Sequence, residues 1–148
     1  MDFEIRCFAP GDYDAVRALW KTIDGLGLSS ADTREAITAF LRRNPELSLV
    51  AAADGAVIGA LLVGHDGRRG YLHHLAVAPN ARGRGVGQSL VDEGLRRLAL
   101  AGIEKTHLFV FEDNAGGQQF WTAVGADERR ELKLYSLPTA RAVTPERL

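Results

Sequence analysis

The densest chemistry in this chain lies in one stretch, Leu75-Ala76-Val77-Ala78-Pro79-Asn80-Ala81-Arg82-Gly83-Arg84-Gly85-Val86-Gly87-Gln88-Ser89-Leu90. An apolar run leads through Pro79 into glycines at alternate positions, with Arg82 and Arg84 between them, and then into an apolar-faced helical pattern. Glycine adopts positive φ readily and leaves its N–H uncovered. Several amides can therefore converge on one anion at the start of a helix, where the macrodipole adds about half a positive charge. Two guanidinium groups on the same turn reinforce this, and the chemistry asked for is that of a phosphate or diphosphate. A Walker loop does not fit, because Gln88 stands where G-x-x-x-x-G-K-[ST] needs lysine. A G-x-G-x-x-G dinucleotide turn does not fit either, because the sixth position counted from Gly83 or Gly85 is Gln88 or Leu90.

Just upstream, Tyr71, His73 and His74 offer proton chemistry. Histidine, with an unperturbed pKa near 6.5, suits proton removal near neutrality. Regular alternation along a strand puts Tyr71 and His73 on one face and His74 on the other. On that geometry the adjacent histidines diverge, and no metal site is expected. Each of the three equally fits a polar sheet residue without a catalytic role. The lone Cys7 rules out an intrachain disulfide framework and any multi-cysteine zinc site, and its apolar-rich surroundings predict a small buried hydrophobe.

The elements that must position these groups follow from periodicity. Phe3–Phe8 predicts a first strand, broken by Pro10-Gly11-Asp12, with Asp12 as a helix N-cap. Val16, Leu19, Trp20 and Ile23 make one apolar helical stripe that Gly25-Leu26-Gly27 ends. A second helix starts near Ser30 or Asp32, carries Ile37, Phe40 and Leu41 on one face, and stops before Pro45. Strands follow at 47–53 and 57–65, joined by Asp54-Gly55, a strong hairpin signal. After the turn at 67–70 comes a strand at 71–78, the glycine-rich turn, and a helix reaching about Ala101. Its expected buried side is Val86, Leu90, Leu95, Leu98 and Ala99. A buried strand at 106–111, a short helix at 115–124 and a last alternating strand at 131–137 complete the order. Hairpins followed by a strand–helix–strand unit imply a mixed sheet with helices on both faces.

With 148 residues, 46% apolar and 25% charged, the chain fits one globular domain, taken as residues 1–138 with a C-terminal tail at 139–148. A formal net charge of -1 supplies no global field toward nucleic acid or a membrane surface. The start Met1-Asp2-Phe3-Glu4 lacks the pattern of a signal peptide, and no apolar run nears the roughly 20 residues of a membrane span. A soluble cytoplasmic protein is the expectation.

The segment Arg82-Gly83-Arg84-Gly85-Val86-Gly87 also matches [QR]-x-x-G-x-[GA] at every specified position. With the preceding "LAVAP" strand, the two N-terminal helices and the later "EDNAGGQQFWTAVGA" segment, the chain resembles the GNAT superfamily of N-acetyltransferases from Phe3 to about Leu137. The resemblance implies an α/β (α+β) fold with a mixed, mostly antiparallel sheet, splayed where the strand before the loop and the strand after the helix part. It implies acetyl-CoA as cosubstrate: backbone groups of Leu75, Ala76 and Val77 beside the pantetheine, and Arg82, Gly83, Arg84, Gly85, Val86, Gly87, Gln88 and Ser89 around the diphosphate. Asn114 matches an asparagine that many members place beside the pantetheine, and fits equally well as a helix cap.

The implied reaction is direct attack of a primary amine, on a small molecule, peptide or protein, within a ternary complex. His73 is the candidate base or water relay and Tyr71 the secondary candidate, matching positions where similar arylalkylamine acetyltransferases carry histidines. Trp121 stands where much of the family has a tyrosine that protonates the thiolate, and an indole N–H is a donor only. It reads as packing or as a wall of the acyl pocket. That departure leaves a second reading, a non-catalytic acyl-CoA sensor on the same fold. Glu112, Asp24, Asp32 and Glu35 could each meet a cationic acceptor. Many relatives pair as homodimers.

Overall fold

The computed structural model describes residues 2–140. The chain divides into two compact units, one running to Ala115 and the other from Gly116 onward. Most of the predicted tail falls at 141–148, outside the described residues.

The first unit carries a five-stranded sheet in the order β1 (Glu4–Cys7), β2 (Leu49–Ala53), β3 (Ala56–His65), β4 (Gly70–Val77), β5 (Thr106–Leu108). The first three pairings are antiparallel; β4 and β5 run parallel, linked by the crossover helix α3 (Val86–Leu100). Helices α1 (Tyr13–Lys21) and α2 (Arg34–Arg43) lie between β1 and β2 in sequence. The β2–β3 hairpin closes through Asp54 (φ 50°) and Gly55 (φ 77°), the paired positive φ values of a two-residue turn that matches strand twist.

Alternation along β3 assigns the two faces. Ala60 and Leu62 join Val16, Leu19 and Trp20 of α1 and Ile37 of α2 in one core. On the opposite face α3 approaches so closely that a Cβ on Gly59 would lie 3.0 Å from Val86, and one on Gly94 would lie 3.1 Å from Val63. The sheet is thus covered on both sides, as the order of elements requires.

Four expectations need correction. In α3, Val91 and Gly94 are buried with Val86, Leu90 and Leu98, whereas Leu95 is 40% exposed and Ala99 is exposed. At about 100° per residue, positions 95 and 99 rotate away from the stripe centred on Leu90 and Gly94. The strand expected over 106–111 stops at Leu108 and is half-buried, with Phe109 and Phe111 exposed. It is an edge strand with a three-pair ladder, so it has one neighbour rather than two. Cys7 is half-buried rather than buried, because the Arg97 guanidinium reaches its Sγ at 3.0 Å. The last strand predicted at 131–137 does not form. Leu132, Leu134, Tyr135 and Leu137 are all exposed, and alternation yields a strand only where a neighbour takes up the backbone groups.

The second unit contains most of α4 (Ala115–Ala123), followed by irregular chain to the end of the described residues. Phe120 and Trp121 meet edge to face, with ring centroids 5.1 Å apart.

Candidate functional site

The parallel ladder of β4 and β5 pairs Gly70 with Thr106, Tyr71 with His107 and Leu72 with Leu108, and then ends. β4 continues to Val77, so from His73 onward its β5-side edge has no strand partner among the described residues. This is the splay expected from the sequence. It leaves extended backbone at Leu75, Ala76 and Val77 available to an extended ligand.

A second feature sits in the same strand. Ala60 of β3 faces Ala76 and Leu62 faces His73, so one β3 residue, Leu61, opposes two on β4, His74 and Leu75. This is a β-bulge, and His74 carries its left-handed backbone at φ 52°. The bulge overturns the expected divergence of the histidines. Tyr71 and His73 do share a face, their rings stacked 3° from parallel, and His73 meets Phe40 of α2 edge to face. His74, however, turns to the same side: its ring lies 5.1 Å from that of Trp20 on α1, and its Nε2 donates to Asp32 Oδ1 at 2.8 Å. The physical reason is the extra residue, which resets the alternation. Even so, among the described residues no three His, Cys, Asp or Glu side chains gather as metal ligands.

Below β4 the chain turns through Pro79–Ala81, anchored by the buried Ala81, into the glycine-rich loop. Gly83 (φ 74°) and Gly85 (φ 81°) hold left-handed backbone, which an ordinary side chain would strain. Gly85 is the N-cap of α3 and supplies no capping side chain, and the first turn carries no acidic residue. Ser89 N closes the first helical bond to Gly85 O at 3.0 Å. The leading amides of α3 receive no side-chain cap. They form an uncapped, cation-flanked helix start, which suits an anion. Arg84 is exposed; Arg82 leans back so that its Nε reaches Val77 O at 3.4 Å. Gln88 Nε2 is turned to Asp92, at 2.8 Å.

Asn114 lies beside the glycine turn that ends α1: a Cβ on Gly25 would come 3.3 Å from Asn114 Nδ2. Phe111 likewise packs on Gly27, where a Cβ would meet its ring at 2.7 Å. Of the acidic candidates, Asp24, Glu35 and Glu112 are exposed, but Asp32 is buried with both oxygens engaged, Oδ1 by His74 and Oδ2 by Ser29 N at 2.9 Å. Asp32 therefore does not face an acceptor. An aromatic row runs from Phe40 of α2 through His73 and Tyr71 of β4 to Phe109, just past the end of β5. Sequence reasoning missed the Asp32–His74 contact, because nothing local marks a histidine for left-handed backbone.

Burial, and then the neighbouring His74, pull the His73 imidazole below the ordinary histidine range, while Asp32 opposes them. A neutral imidazole near neutrality is the form able to take a proton.

Residues 13–126 match the acetyltransferase (GNAT) family. The chain belongs to that family. It is 39% identical over 111 residues to an acetyltransferase of Pectobacterium atrosepticum, a match spanning 75% of this chain and 78% of that one. Ard1 from Thermoplasma volcanium superposes with a TM-score of 0.75 at 25% identity, over 84% of this chain and 82% of Ard1. AAC(6')-Iy, in complex with the bisubstrate analogue CoA-S-monomethyl-acetylneamine, superposes with a TM-score of 0.74 at 21% identity, over 93% and 99%, a likeness of fold. The enzyme is an acetyl-CoA-dependent acetyltransferase with the GNAT fold.

Proposed function

We propose that the enzyme transfers the acetyl group of acetyl-CoA to a primary amine by direct attack in a ternary complex. The observation that carries this reading is the pairing, within one strand–loop–helix unit, of a free β4 edge with the uncapped start of α3. The amides of Gly83 through Gln88, with Arg82, Arg84 and Ser89, hold the diphosphate of the cosubstrate. Backbone groups of Leu75, Ala76 and Val77 take the pantetheine, Asn114 flanks it, and an N–H of this strand polarises the thioester carbonyl. For Val77 O to pair with the cosubstrate, Arg82 has to release its 3.4 Å contact and swing toward the diphosphate.

His73 then removes the ammonium proton, directly or through one water, and Tyr71 stacked on it steadies the ring. The deprotonated amine adds to the carbonyl carbon, the C–S bond breaks, and the thiolate is protonated by solvent, since Trp121 cannot serve as an acid. Glu112 is exposed, and a carboxylate there suits a cationic acceptor.

A thiol-release assay with acetyl-CoA against arylalkylamines, polyamines and peptide amines tests the reading. Amine-dependent CoA release, sharply reduced in His73→Ala, is expected. Tight CoA binding with no release across the panel would overturn it.

A further inference from the structure

We propose that Asp32 and His74 form a positioning pair that ties the segment between α1 and α2 to the bulge of β4 and so fixes the backbone of Leu75 relative to His73. The proposal rests on the acetyl-transfer reading of the β4 edge.

Three observations converge on the pair. First, His74 is the bulged residue itself. A left-handed backbone at φ 52° costs a non-glycine residue free energy, so the surroundings must hold it there. Second, the hold is a charge-assisted contact made in the interior: Nε2 of His74 donates to Oδ1 of Asp32 at 2.8 Å, and their side chains are only 17% and 5% exposed. Third, Asp32 is itself fixed from the helix side. Its carbonyl accepts from Tyr13 Oη at 2.6 Å, and its Oδ2 caps Ser29 N at 2.9 Å.

The bulge determines which way His74 and Leu75 point relative to His73. Without the extra residue, His74 and everything beyond it would exchange faces. The tether therefore links two parts of the reaction: the strand that presents the thioester and the helix-connecting segment that walls the same face. Trp20, meeting His74 edge to face, has a buried indole N–H with no acceptor among the described residues. That wall is thus held by shape, and the polar restraint falls on Asp32. A purely space-filling role would not need a carboxylate.

Substitutions separate the tether from the backbone strain. Glycine accepts the left-handed conformation without penalty, so His74→Gly keeps the bulge and removes the tether. Asp32→Ala removes it from the other side while Tyr13 still holds the Asp32 carbonyl, and Asp32→Asn keeps one acceptor. CoA release from acetyl-CoA is measured with water alone, phenethylamine, spermidine and a lysine peptide as acceptors, alongside the melting shift produced by CoA. For His74→Gly and Asp32→Ala, kcat is expected to fall at least about tenfold, the scale of a small misplacement of reacting groups, with the KM for acetyl-CoA within about twofold. Asp32→Asn should lie between Asp32→Ala and wild type, and it decides the matter if either of the other variants fails to fold. Variants with wild-type kcat, or a loss of CoA binding that parallels the loss of turnover, would overturn the positioning role. A wild-type enzyme that releases CoA in no arm would instead overturn the acetyl-transfer reading, and the pair's role with it.

Discussion

His73 is half-buried in a row of rings, and its lowered proton affinity sets a pH dependence for both catalysis and stability. As a base it must be neutral, so kcat/KM should rise with pH to a plateau, with an apparent pKa below the usual 6.5. Replacement by Gln should cost about 10²- to 10⁴-fold and flatten that acid limb. A pH–rate profile that keeps the limb in His73→Gln would assign the titration to another group. For folding, the sign runs the other way from a histidine that gains a partner. Between its folded pKa and about 6.5 the unfolded chain binds more protons, so stability is lost as pH falls through this window. Chemical denaturation of the wild type and of His73→Gln at pH 7 and pH 5 checks this: the wild type should lose more stability than the variant. The identity of this residue as a candidate was legible from its place two positions after Tyr71. The direction of its neighbour's ring was not, because a bulge is invisible in a pattern that presumes period two.

At the scale of elements, helix α3 is proposed to hold the cosubstrate at its start, and farther along it is tied to the sheet. Its N-terminus depends on left-handed backbone at Gly85, so Gly85→Ala should destabilise by about 1–2 kcal/mol and weaken CoA binding as the amides turn away. Calorimetry on the variant reads both effects; unaltered CoA affinity would mean that these amides are not the ones used. Further along, Glu93 bonds Arg96 and Arg97, and Arg97 continues to Glu46 O at 2.6 Å and to Cys7 Sγ, tying α3 to the β1 side of the sheet. The hydrogen bonds from Arg96 and then Arg97 lower the Glu93 carboxyl to about 2. Its contribution should thus be whole above about pH 4.5 and fade as pH falls toward 2, so Glu93→Gln should lower the melting temperature at pH 7 and hardly at all at pH 2. The start and overall burial of α3 could be read from Val86, Leu90 and Leu98. The error at Leu95 and Ala99 came from counting apolar residues without following their angle around the axis. The missing strand at 131–137 has a different cause: alternation states what a strand could bury, and pairing depends on a neighbour that composition cannot name.

For the molecule as a whole, a formal charge of -1 means that attraction to a polyanionic cosubstrate must be local, and the proposed site draws it from Arg82, Arg84 and the first turn of α3. The order of strands and helices was readable because turn signals, Asp54-Gly55 above all, separate one apolar run from the next. The site's energetics were not, because they depend on which amides remain unpaired. Binding there is also a stability event, because the ligand binds the folded state alone. A ligand at about 100 times its Kd stabilises by about 2.7 kcal/mol. For a chain of this size each kcal/mol moves the midpoint by roughly 2–4 °C, so saturating CoA should raise Tm by about 5–10 °C. Arg84→Glu places a negative charge among the same amides without touching the core, since Arg84 is exposed. It should leave the ligand-free Tm within about 1 °C of wild type. The CoA-induced shift should then disappear. The shift should also shrink with added salt in the wild type, because exposed charges are screened over about 8 Å at physiological ionic strength. A full shift in Arg84→Glu, insensitive to salt, would move the diphosphate to some other part of the surface.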